Sequence, residues 1–134
     1  MFVDACAIVS ILSEEPTAAA YRGALDQVTA ATTSPLAAFE AVLVLARPEK
    51  FACDIAKAQE IVLTFLDERD IVLRQEGDAR ALLGLAVDVA QMHGVGKRRL
   101  SSFDCFHYAQ AKFMRQRLLT LDGLLRQTDV ETAP

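Results

Sequence analysis

Short runs suited to β-strands alternate along the whole chain with segments long enough for helices, and that alternation decides the fold class. FVD reads as a first strand and ACAIVSILSEE as a helix that Pro16 closes. PTAAAYRGALDQ is a second helix with proline in its first turn, and QVTAATT, rich in β-branched residues, is a strand. SPLAAFEAVLVLAR follows as a helix with Ser34 at its N-cap, Pro35 in its first turn and a stop near Pro48. KFACDIAKAQEIVLTFLDER reads as a long amphipathic helix with Phe51, Ile55, Val62 and Phe65 near one face, and IVLR as a strand. EGDARALLGLAVDVAQMHG is a helix ending on a glycine C-cap, and GVGKRRLSS is a loop. SFDCFHYAQAKFMRQR is a helix capped by Ser101 or Ser102, RLLTLD a strand, and TDVET a short last strand. Strands separated by helices pair in parallel. The expected fold is therefore an α/β three-layer sandwich, with a mainly parallel sheet of four to five strands and helices on both faces. With no repeat, low-complexity segment or linker in view, residues 1–134 read as one domain.

Composition narrows the class further. No apolar run reaches the roughly 18 residues that span a bilayer, so no membrane association is expected. The opening MFVDACAIVSIL has no basic start and carries an aspartate where a signal peptide would be apolar, so a cytoplasmic location is the expectation. Cys6, Cys53 and Cys105 are odd in number and lack C-x-x-C spacing, which argues against disulfides and a zinc site. The net charge of −4 is uneven. Residues 1–96 hold seven basic and fourteen acidic side chains, net −7; residues 97–117 hold six basic and one acidic, net +5; the remainder is net −2. The basic stretch Lys97, Arg98, Arg99 is either a solvated face or a strip for phosphates.

Four carboxylates stand in apolar surroundings. Asp4 ends the first strand, Glu40 lies inside a helix apolar on all sides, Asp104 sits in the first turn of its helix, and Asp122 ends the strand RLLTL. Singly, each suits a cap or turn, although Glu40 needs a buried partner. Jointly they lie at the edge where the strands of a parallel sheet end and ligands bind. Converging carboxylates repel and protonate unless a cation joins them, and hard oxygen donors suit Mg2+, with Mn2+ as a substitute. Such a site suits phosphodiester chemistry. His93 and His107 lack metal-ligand spacing and are expected as surface or packing residues.

The motifs VDACAIVSIL, SPLAAFEAVLVLAR, SSFDCFHYAQA and LLTLDGLLRQTDV resemble the PIN-domain nucleases, and especially the VapC toxins of toxin–antitoxin pairs. The resemblance covers almost the whole chain. It implies a Mg2+-dependent endoribonuclease that cuts cellular RNA, a small antitoxin that lays a helical tail along the groove to the acids, and a homodimer. It also implies Asp4 and Asp104 as direct metal ligands, Glu40 binding metal or orienting water, and Asp122 completing the site. Two positions depart from the pattern. Cys6 stands where the family usually has Ser or Thr, a poorer hydrogen-bonding group beside the first aspartate. Leu124 stands where a D-x-D-F motif would place a second acid. These departures keep a second reading open, a catalytically weak PIN-fold module bound by an antitoxin-like partner. A third, a phosphatase or phosphoacceptor domain, lacks the second acid it would need in Asp4-Ala5-Cys6. Lys97, Arg98, Arg99 and Tyr108 are the candidate RNA contacts.

Overall fold

The computed structural model spans Met1–Pro134 and holds one five-stranded sheet. In chain order the elements are β1 (Phe2–Val3), α1 (Ala5–Leu12), α2 (Ala18–Leu25), β2 (Ala31–Thr33), α3 (Pro35–Leu45) and α4 (Ile55–Glu68). β3 (Ile71–Leu73), α5 (Ala79–His93), α6 (Ser102–Phe113), β4 (Leu118–Leu119) and β5 (Thr132–Ala133) complete the chain. All pairings are parallel, in the order β3-β2-β1-β4-β5. The α/β sandwich is the architecture expected from the alternation of elements.

The strands are very short, so register rests on side chains as well as on ladder bonds. In β1, successive side chains face opposite sides of the sheet. Val3 joins Ala31, Ile71 and Leu119 in a core under α1, α2, α3 and α4. Phe2 joins Leu118, Leu82, Val89 and Tyr108 in a second core under α5 and α6. A one-residue slip would exchange the two sets, which fixes the pairing of Phe2 with Leu118 and of Val3 with Leu119.

Several helix ends follow the expected signals. Ser34 caps α3 by accepting from the Ala37 N–H at 3.1 Å, with Pro35 next. Ser101, rather than Ser102, caps α6. Gly94 ends α5 with φ +78, and a Cβ there would meet the Arg99 side chain at 2.6 Å. Two boundaries differ from expectation. α4 starts at Ile55 because the Asp54 carboxylate accepts from the Lys57 N–H at 2.7 Å, and Ala52 before it has φ +47. Phe51 therefore lies outside that helix, Ile55 is exposed, and the buried face is Ala58, Val62, Phe65 and Leu66. A 3-10 turn covers Leu125–Gln127. The last strand begins at Thr132, because the bend before it is held by Asp129, which accepts from the Tyr108 hydroxyl and the Lys112 ammonium. No helix is long and apolar enough to cross a membrane.

Candidate active site

The sheet order reverses direction at β1, whose neighbours are β2 on one side and β4 on the other. Loops leaving β1 and β4 diverge there and open a crevice at the strand C-termini, the usual ligand site of such sheets. Asp4 follows β1 directly and Asp122 lies just past β4, so these two acids border the crevice.

Asp4 is only 3% exposed, yet its carboxylate is well supported. Oδ2 accepts from the Thr120 hydroxyl at 2.8 Å and from the Cys6 thiol at 2.9 Å. Burial, reinforced by the Asp4 charge and hydrogen bond, holds the Cys6 thiol far above its ordinary pKa, so it stays protonated and donating. Tyr21, whose hydroxyl lies 3.2 Å from Cys6 Sγ, accepts the Leu121 N–H at 2.8 Å and ties this cluster to the β4 end. Cys6 thus supplies the donor that Ser or Thr would supply. Thr120, which sequence reading passed over, supplies a second; the signal for it was a hydroxyl two residues before Asp122.

Glu40 finds its partner in His107. Nε2 of His107 lies 2.6 Å from Glu40 Oε2 and 3.7 Å from Asp4 Oδ1. The ring is 0% exposed and flanked by Phe2 and Phe103. The expectation of a surface or packing role is corrected to this extent: His107 is buried, and it links two of the acids. Its place on α6, three residues after Asp104 and so on the same helix face, was the available signal. Burial is the largest influence on its pKa and lowers it. The Glu40 hydrogen bond and the charges of Asp4, Glu40 and Asp104 outweigh burial, so the net direction is upward. Nδ1 is buried without a partner.

Asp104 and Asp122 double as local caps. Asp104 Oδ2 accepts from the Ser101 N–H at 2.6 Å, completing a capping box with the Ser101 hydroxyl. Asp122 Oδ1 accepts from the Leu124 and Leu125 N–H groups at 2.8 and 3.0 Å, starting the 3-10 turn. Burial raises the Asp104 pKa, partly offset by the Ser101 bonds and reinforced by the negative charges of Asp4 and Asp122. Asp104 therefore lies within electrostatic reach of Asp4 and Asp122. Asp4, Glu40, Asp104 and Asp122 each commit one oxygen to a hydrogen bond, leaving Oδ1, Oε1, Oδ1 and Oδ2 respectively with none. No three of these acids are drawn together into a closed coordination set.

The family model described as the PIN domain matches residues 1–131. The chain belongs to the PIN-domain family. No curated protein matches it. PIN domains are typically metal-dependent nucleases, and the donor chemistry here fits that trait. Each of the four acids keeps one hard oxygen free of any hydrogen bond, the donor type that divalent cations prefer.

The Asp104 shift yields a prediction. Its folded pKa is raised above the unfolded value, so this contribution favours folding most below about pH 4 and is lost as pH rises through the folded value. Asp104→Asn is therefore expected to raise the melting temperature of the metal-free protein at neutral pH by a few degrees. Thermal scans in EDTA measure this shift, and an unchanged or lower melting temperature in the variant would exclude a destabilising charge at Asp104.

The candidate RNA contacts divide. Tyr108 is buried and donates its hydroxyl to Asp129 at 2.6 Å, so it is corrected to a structural residue. Arg99 lies over Gly94 and donates to the His93 carbonyl at 3.1 Å, which makes it first a brace for the loop. Lys97 and Arg98 form no ion pair, and with His93, Leu124 and Gln127 they line a cavity of about 390 Å³ beside the Asp122 turn.

Proposed function

We propose that this PIN domain is a Mg2+-dependent endoribonuclease toxin that hydrolyses phosphodiester bonds of cellular RNA and is held inactive by a small antitoxin protein. The observation that carries this reading is the pair Asp4 and Asp122 at the switch-point crevice, with Glu40 joined to Asp4 through His107, Asp104 within electrostatic reach and a basic cavity alongside. Asp4, Asp104, Glu40 and Asp122 would hold Mg2+, or Mn2+ in its place. The bound ion would polarise the phosphodiester and lower the pKa of attacking water. The chain's own residues do the rest: Thr120 and Cys6 orient Asp4, His107 holds Glu40, and Lys97 and Arg98 anchor backbone phosphates beside the acids.

The retained donor at Cys6 and the second one at Thr120 favour the enzyme over the catalytically weak module. Support for the antitoxin comes from a cleft between α3 and α4, where Phe39, Val42, Ile55 and Leu63 offer an apolar bed to an amphipathic helix. A homodimer and a cytoplasmic location complete the proposal.

The test is incubation of the purified protein with structured RNA in Mg2+ or EDTA, beside Asp4→Asn and Asp104→Asn. Cleavage that survives EDTA or both variants would overturn the mechanism. Removing Lys97 and Arg98 together, as alanines, is expected to weaken RNA binding about tenfold and to lower the slope of log affinity against log salt by about one for each side chain. Binding titrations across a salt series measure this, and an unchanged slope would remove the loop from the substrate path.

A further inference from the structure

A cavity of about 350 Å³ opens between α3, α5 and α6, near the Glu40–His107 pair in sequence, and has no part in the chemistry above. Two helices place it there. Leu36 lines it from α3, four residues before Glu40 and on the same face. Phe106 and Gln110 line it from α6, adjacent to His107 and three residues after it.

The lining has two characters. Phe106 is 40% exposed, although the next five residues of α6 are buried or largely so. An open aromatic ring at the mouth of a cavity is costly to leave in water and offers a flat stacking surface. Beneath it, Gln110 is 3% exposed; its Nε2 donates to the Glu76 carbonyl at 2.8 Å, while its Oε1 accepts nothing from the protein. Ser34, 4% exposed, uses Oγ as an acceptor for the Ala37 N–H and leaves its hydroxyl proton free. An acceptor and a donor, both fixed by bonds behind them, therefore line the cavity without partners in the protein.

We infer that this cavity receives one unstacked base of the RNA strand lying across the acids. The base stacks on Phe106 and presents an N–H to Gln110 Oε1 and an acceptor to the Ser34 hydroxyl. Single-stranded RNA is read in this way, by aromatic stacking and by hydrogen bonds to base edges. The inference rests on the ribonuclease reading and adds to it a determinant of where the strand is cut.

The experiment uses the wild-type protein, Phe106→Ala and Phe106→Trp on a short RNA that the wild type cleaves, and on copies carrying one abasic nucleotide at each position in turn. The expected loss for Phe106→Ala is on the order of tenfold, expressed mainly in KM, with Phe106→Trp restoring cleavage. One abasic position should cost the wild type a similar factor and cost Phe106→Ala nothing further. Equal cleavage by wild type and Phe106→Ala, or a loss with no matching abasic position, would overturn the pocket while leaving the nuclease intact. Absence of any RNA cleavage by the wild type would overturn both readings. Sedimentation of each variant supplies a control: a Phe106→Ala protein that changes from dimer to monomer would assign the ring to a second copy of the chain and overturn the base pocket.

Discussion

Under the proposed function, Asp4→Asn is expected to lower Mg2+-dependent RNA cleavage about a thousandfold while leaving the protein folded. The side chain is nearly isosteric, and its amide oxygen can still accept from Thr120 and Cys6, so the local structure survives. The negative charge does not. It is the most deeply buried of the four acids, and it sits at the first helical entry from the central strand. Loss of a hard ligand from a metal that stabilises transition-state charge is worth several kcal/mol, which is the thousandfold effect. Single-turnover cleavage beside circular dichroism separates chemistry from folding; activity within tenfold of wild type would remove Asp4 from the metal site.

The second large effect is expected at His107. His107→Leu leaves Glu40 without its partner inside a half-buried site and should destabilise the metal-free protein by about 2 kcal/mol, the scale of a hydrogen bond to a charged group. Activity should fall about 10- to 100-fold, as when a residue that positions a ligand is lost. The pH dependence discriminates this role from simple packing. The His107 pKa is raised on folding, so the pair stabilises fully below about pH 6.5 and fades as pH rises through the folded value. The penalty of His107→Leu should therefore be larger at pH 6 than at pH 9, and His107→Gln, which can still donate to Glu40, should recover part of the activity. A pH-independent penalty with normal activity would return His107 to the packing core.

The fold and the positions of the candidate acids are legible in the sequence for a shared reason: both depend on local patterns. Alternation of elements predicts a parallel sheet, and a lone Glu40 among apolar residues announces itself by its cost. The partners of those acids were less visible. His107 meets Glu40 across 67 residues of chain and Thr120 meets Asp4 across 116, and neither residue is unusual in its own segment. Tyr108 misled in the opposite direction, because an aromatic in a basic segment resembles an RNA contact until its hydroxyl is found on Asp129. Phe51 and Ile55 match a helical apolar period, yet the cap at Asp54 starts α4 after the first of them.

The span between Asp4 and Thr120 bears on the order of events during synthesis. Asp4 and Cys6 are made first, but the Thr120 hydroxyl and the Asp122 turn arrive with the final strands, after more than a hundred residues of chain. Until β4 pairs with β1, the first aspartate lacks one of its two donors and the crevice lacks its far wall. Closing a contact across so long a loop costs chain entropy and slows folding. The support of the first aspartate is thus completed only once β4 has docked beside β1.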